Sequence, residues 1–413
     1  MVVTITIILC ALDGFDVLAI SFASPGIANE WGIDRAALGI VLSMELIGMS
    51  MGSIMLGGIA DKIGRRITIL GCLTIMSIGM FMVTRVSGVI ELSVWRVITG
   101  LGIGGILAAI NAVAAEFSNT RRKHLCVSLM AIGYPFGVVV GGTIAAQLLK
   151  SYDWRSVFYL GTAMTVMCIP LVYFLVPESI HWLTNKQPER ALSKINTTLK
   201  RMGHATLSAL PEINLETQKS RVADIFSPAL IVTTILVTAA YFSHIMTFYF
   251  ILKWTPKLVV DMGFQPSAAA GVLVWATIGG VIGGVLFSLL TIRFPLKPLT
   301  IVACFFSTIM IVAFGRSPAD LDKLAMMAAS AGFFSNAAIV GLYAIIAHAF
   351  PTHVRAFGTG FVIGIGRGGS MLAPIVAGFM FQAGISLATV AMIISSGSLI
   401  AIMALWFLKL KPG

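Results

Sequence analysis

Apolar residues in this chain run in long blocks, and short polar intervals break them into twelve stretches. The approximate spans are 1–26, 36–60, 67–84, 89–115, 125–148, 156–176, 227–252, 268–290, 298–314, 323–348, 357–382 and 385–408. Each is about the length a helix needs to cross a ~30 Å hydrocarbon core. The longest polar interval, 178–226, contains Lys186, Arg190, Lys194, Lys200, Arg201, Lys219 and Arg221 and separates six spans from six. The pattern predicts an all-α membrane protein of twelve transmembrane helices in two pseudo-symmetric six-helix bundles, 1–177 and 227–413. A cytoplasmic linker, 178–226, with short amphipathic helices is expected between them.

Composition supports lipid as the main solvent. Of 413 residues, 58% are hydrophobic and 11% charged, against about 25% charged in ordinary soluble domains. The net charge of +11 does not point to nucleic acid, because Lys and Arg sit mostly in the short loops between apolar blocks. Well over half of the 28 Lys and Arg residues fall on one side if the N-terminus is cytoplasmic. The positive-inside bias therefore predicts both termini in the cytoplasm of a bacterial-type inner membrane. The opening apolar stretch has no basic n-region and no small-residue cleavage site, so it reads as a retained first span. The five cysteines all lie within apolar blocks without metal-ligand spacing and are expected to be packing residues.

The two halves echo each other. Ala131-Ile-Gly-Tyr-Pro-Phe-Gly137 of the fifth span lines up with Gly364-Ile-Gly-Arg-Gly-Gly-Ser370 of the eleventh. The polar exits before them, Glu116 to Lys123 and His348 to Arg355, correspond as well. Gly57-Gly58 leading to Arg65-Arg66 is matched in decayed form by Gly283-Gly284 leading to Arg293 and Lys297. Repeated halves around a central site are the architecture of rocking transporters.

The loop between spans two and three, Gly57-Gly-Ile-Ala-Asp61-Lys-Ile-Gly64-Arg65-Arg66, resembles the signature loop of the major facilitator superfamily. Its glycines permit a tight turn and close helix approach, Asp61 can cap or pair with a neighbouring helix end, and the arginines anchor at the membrane interface. Asp13-Gly14-Phe15-Asp16 in the first span is similar to the pattern of the aromatic acid:proton symporter branch. Arg96-Val-Ile-Thr-Gly100-Leu-Gly102-Ile-Gly104, Pro177-Glu178-Ser179, Pro351-Thr-His-Val-Arg355 and Gly366-Arg367 fit the same group. The resemblance covers essentially the whole chain. It implies the major facilitator fold, alternating access, and a carrier driven by a proton gradient with no cofactor. Three departures leave the substrate open: Glu45 in mid-span two, His348 at a place often acidic, and a loop after span eight without its aspartate.

Ionisable side chains within lipid are costly and each needs a reason. Asp13 and Asp16 share a helix face, and two carboxylates so close in a poorly hydrated cavity do not both ionise easily. They fit a proton-coupling pair; the alternative is a structural pair bonded to a neighbouring helix. Arg96 can face them across the bundle, a role the resemblance supports. Glu116 at the other end of span four lies ~30 Å from Arg96 along the helix. It belongs either to proton coupling through the inner gate, near Asp61 and Arg65, or to the interface as a helix-end charge. Arg367, near mid-span eleven, is a candidate bidentate partner for a substrate carboxylate; the alternative is capping of helix carbonyls. Ring-binding candidates are Tyr241, Phe242 and His244 in span seven, Trp275 in span eight, and Asn336 and Tyr343 in span ten. Each could equally be packing, and His244 could equally be structural. Glu45 is either a second protonatable site or a hydrogen-bonded structural acid.

No nucleophile elbow, metal-spaced cluster or phosphate-binding loop appears, so an enzyme is not expected. The leading expectation is a monomeric proton-coupled importer of a small organic acid, most of all an aromatic carboxylate such as a benzoate or hydroxybenzoate. Alternatives are an aliphatic acid, a nicotinate-like compound or a polyol as cargo, a drug/proton exporter, and a receptor without turnover.

Overall fold

Lipid offers no hydrogen-bond partners to a backbone, so each apolar block has to satisfy its own N–H and C=O groups by coiling. The computed structural model describes residues 1–118, 123–203, 205–210, 225–228, 230–351 and 354–408, and every regular element among them is helical. Helices α1 (Val2–Trp31), α2 (Arg35–Ile63), α3 (Arg65–Val83), α4 (Val89–Glu116), α5 (Lys123–Leu148) and α6 (Arg155–Leu175) precede the linker. After it come α9 (Ile231–Asp261), α10 (Pro266–Leu290), α11 (Leu296–Gly315), α12 (Leu321–Ala349), α13 (Arg355–Gln382) and α14 (Leu387–Phe407). These twelve are long and apolar enough to cross a membrane. In the linker, α7 (Ile180–Lys186) and α8 (Ala191–Arg201) pack Leu183, Ala191 and Ile195 together. Lys219, Arg221, Thr352 and His353 and the polar exit at 119–122 lie outside the described residues.

Helix starts follow from local chemistry. Asp34 accepts from the Ala37 N–H at 2.7 Å and begins α2. Asp320 accepts from the N–H groups of Asp322 and Lys323 and begins α12; the Lys323 N–H holds its carboxyl below the ordinary range. Ser386 and Ser179 cap α14 and α7 in the same way.

Contacts divide the chain into two compact units. One comprises Met1–Val17, Ile47–Gly137 and Phe158–Lys219; the other comprises Leu18–Leu46, Val138–Val157 and Ser220–Gly413. The division does not fall at the linker: the second unit takes in one end of α1, α2 and α5 along with the helices after the linker.

Within each unit, glycines bring helices to backbone contact, as small residues do where no hydrophobic effect drives association. In the first unit a Cβ at Gly14 of α1 would overlap the Tyr134 carbonyl of α5, and one at Gly137 would overlap the Ala11 carbonyl. In the second, a Cβ at Gly366 of α13 would overlap the Tyr241 ring of α9. The segments aligned above, 131–137 and 364–370, therefore do the same job twice, α5 against α1 and α13 against α9. A Gly137→Val chain should be destabilised by at least about 1–3 kcal/mol, the usual cost of overpacking. Thermal unfolding of purified protein in detergent measures this; melting alongside the parent would mean that α1 and α5 part easily there.

Candidate functional site

In the first unit α1 buries Asp13 and Asp16 completely, and α4 buries Arg96 completely. The Arg96 Nη2 donates to the Asp16 backbone carbonyl at 3.1 Å, and its Nη1 approaches the Met80 sulfur at 3.3 Å. The guanidinium also lies 5.5 Å from the Phe158 ring centre, where the ring face attracts a cation. Gly161 of α6 leaves room for this group, since a Cβ there would sit 3.2 Å from Asp16 Oδ1 and overlap the Met80 methyl. The structure thus brings Arg96 to the Asp16 backbone carbonyl, in a unit where Asp13 and Asp16 are buried as well.

Glu116 is elsewhere. It pairs with Arg65 and accepts from the Ser179 hydroxyl at 2.5 Å. Glu178 completes the cluster by accepting from the backbone N–H groups of Arg65 and Arg66 at 2.7 and 3.1 Å. A carboxylate at the start of α3 satisfies donors that have no helical partner and complements the helix dipole. Gly64 makes this possible: its φ is 107°, and a Cβ would come 2.5 Å from Glu178 Oε2. Arg66 donates to the Tyr173 carbonyl and lies over that ring at 5.2 Å. Asp61 is exposed and acts on Arg65 electrostatically. Of the loop's glycines, Gly57 and Gly58 lie inside α2, and the tight turn is at Gly64. Sequence reasoning had not given Glu178 a role.

The second unit gathers Tyr241, Tyr343 and Arg367. The two tyrosine hydroxyls are 3.0 Å apart, with Tyr241 buried and Tyr343 43% exposed. Arg367, half-buried beside the close α9–α13 crossing, acts electrostatically on Tyr241. A guanidinium and two phenols provide a charged fork, polar donors and ring faces.

Other expected cargo contacts fall outside this group. His244 is fully buried one turn from Tyr241, with Nδ1 2.9 Å from Ser398 Oγ and Nε2 3.0 Å from the Ser335 carbonyl. A carbonyl only accepts, so Nε2 carries its hydrogen, and both ring nitrogens are used inside the helix bundle. Asn336 donates to the Gly280 carbonyl at 2.7 Å across α10 and α12. Trp275 is 53% exposed on the same apolar stripe of α10 as Ile282, Leu286 and Leu289. Phe242 lines an apolar cavity of about 600 Å³ between α9, α13 and α14.

Glu45 has a partner that sequence reasoning missed. Lys253 Nζ lies 3.5 Å from Glu45 Oε2, and both side chains are wholly buried. Lys253 was expected just beyond span seven, in a loop; α9 instead continues to Asp261 and carries it inside.

The sequence profile described as the Major Facilitator Superfamily matches residues 6–329. The chain belongs to that superfamily. As a member it is a multi-pass membrane transporter and not an enzyme. It is 30% identical over 378 residues to a 4-hydroxybenzoate transporter of Pseudomonas putida, covering 90% of this chain and 84% of that one. It is 28% identical over 389 residues to a gallate transporter of the same organism, covering 92% and 86%. A solved structure of a xylose transporter from E. coli superposes with a TM-score of 0.76 at 16% identity, covering 100% and 98% of the two chains; at that identity the likeness concerns the fold.

Within this superfamily member the signature loop is therefore clamped by a distant carboxylate. Glu178→Gln keeps the acceptor oxygen and removes its charge. Charge-assisted bonds are about twice as strong as neutral ones, so thermal unfolding should show a loss of roughly 1 kcal/mol. Unchanged stability would show that the charge of Glu178 contributes nothing to the start of α3.

Proposed function

We propose that this chain imports a small aromatic carboxylate across a bacterial-type inner membrane together with protons, by alternating access. The observation that carries the reading is the buried Asp13, Asp16 and Arg96 group in a chain aligned over about nine tenths of its length with proteins named for gallate and 4-hydroxybenzoate transport. Arg367 beside Tyr241 and Tyr343 supplies the complementary chemistry, a cation for the carboxylate and rings for the arene.

The energetics favour coupling to protons. An aromatic acid is an anion at neutral pH, and moving one charge against 100 mV costs about 2.3 kcal/mol. One accompanying proton cancels that charge, and a second makes entry electrically favourable. In the cycle, Asp13 and Asp16 load protons from outside, the anion settles at Arg367, and both leave on the cytoplasmic side. Both termini and the linker face the cytoplasm, the chain works as a monomer, and no cofactor takes part.

Uptake into proteoliposomes with an imposed pH gradient tests this, using benzoate, hydroxybenzoates, hydroxycinnamates and aliphatic acids. Inward proton gradients should accelerate uptake of the aromatic acids, and Asp16→Asn should abolish that acceleration. Gradient-driven uptake that persists in both Asp13→Asn and Asp16→Asn would remove these residues from coupling. Arg367→Lys should weaken affinity roughly tenfold, about 1.4 kcal/mol, by replacing a fork with a point charge; equal affinity would reject the carboxylate contact.

A further inference from the structure

Glu45 and Lys253 are absorbed by nothing above. A buried ion pair is a poor stability device, because desolvation offsets most of its attraction and an apolar pair packs as well. Within a membrane such a pair marks a functional site. Glu45 lies ten residues, ~15 Å, from the Arg35 end of α2, and Lys253 lies eight residues, ~12 Å, from the Asp261 end of α9. Around them α2 is strapped to its neighbours. Ser43 donates to the Met371 carbonyl of α13 at 2.7 Å, Trp254 donates to the Pro374 carbonyl at 3.2 Å, and Arg35 meets Asp261 at 3.1 Å.

The charges facing the pair are few. On α9 the nearest beyond Lys253 are Lys257 and Asp261, which pair with each other. On α13 the nearest is Arg367, one turn before Met371, and that helix has no acid at all. Among the described residues of this unit the remaining acids are Glu30, Asp34, Asp153, Asp261, Asp320 and Asp322, all at helix ends or in loops. Among the described residues of this unit, Glu45 is therefore the one carboxylate away from helix ends and loops, and the cation beside it is Lys253. If Glu45 takes up a proton, the buried Lys253 ammonium loses the carboxylate charge beside it. A carboxylate from outside can restore that pairing.

We propose that Lys253 is a second carboxylate site on the cargo's route, closed by Glu45 until Glu45 is protonated. The proton goes to a Glu45 carboxyl oxygen, and the cargo carboxylate takes its place at the Lys253 ammonium. Deprotonation of Glu45 restores the internal pair and expels the cargo. No bond but the O–H forms or breaks, and the site's net charge is the same with cargo as with Glu45. Because cargo and Glu45 compete for one ammonium, this site adds one proton per carboxylate to whatever Asp13 and Asp16 carry. Tyr249 lies one turn before Lys253 and within electrostatic reach of Tyr241. The inference rests on the reading that the cargo is an aromatic carboxylate.

The test is the proton-to-cargo ratio, taken from the imposed pH gradient and voltage at which net 4-hydroxybenzoate flux stops in proteoliposomes. Glu45→Gln, a mimic of the protonated acid, should lower the ratio by one and bind 4-hydroxybenzoate about tenfold more tightly at pH 8 in detergent. Lys253→Met leaves Glu45 without its cation and can fail to fold. The double variant Glu45→Gln/Lys253→Met buries no lone charge, and it should fold yet bind at least tenfold more weakly than Glu45→Gln. An unchanged ratio in Glu45→Gln, or a double variant that binds as tightly as Glu45→Gln, overturns the proposal. A wild-type ratio of zero would instead overturn the proton-coupled reading as a whole, so the two failures are separable.

Discussion

Hydrocarbon does not solvate charge, and that constraint governs the arrangement of this protein. A charged side chain at mid-bilayer costs several kcal/mol unless something replaces its water. Arg96 finds a backbone carbonyl, a sulfur and a ring face; Glu45 and Lys253 find each other. Most other charges are kept to the helix ends, where Arg155 takes Glu30 and Arg65 takes Glu116. Charges that stay deep despite the cost are the ones to which the proposed transport cycle assigns its chemistry.

The frame that holds them combines a core of large apolar side chains with close glycine contacts between helices. Helices that touch backbone to backbone fix the facing side chains in depth and rotation. Gly14 and Gly137 at the α1–α5 crossing flank the level of Asp13, and Gly366 at the α9–α13 crossing places Arg367 next to Tyr241. The same device in both halves explains why the aligned segments keep small residues although their polar residues differ.

The twelve spans were legible because length and hydropathy alone determine them. Asp13, Asp16 and Arg96 were legible because each interrupts an apolar run. Lys253 was not, since a charge near the end of an apolar block reads as the loop that follows; only the continuation of α9 to Asp261, and an acid 208 residues away, reveal it as buried. The surroundings of His244, Trp275 and Asn336 were not legible for another reason. Residue type shows that a side chain can bind a ring or a carboxylate, but rotation about the helix axis decides whether it faces a carbonyl, a neighbouring helix or the apolar exterior. Glu178 sits in a recognisable Pro-Glu-Ser run, yet its role as the cap of α3 depends on the turn at Gly64 and on a contact across 113 residues.

The central claim is that buried acids gain protons as an anionic cargo arrives. It is tested most directly by titrating purified, detergent-solubilised protein with 4-hydroxybenzoate in weakly buffered solution and following pH with an electrode. The account predicts that at least one proton is drawn from solution for each molecule bound, with the solution turning alkaline in step with occupancy. Saturable binding with no change in pH across the neutral range would contradict it.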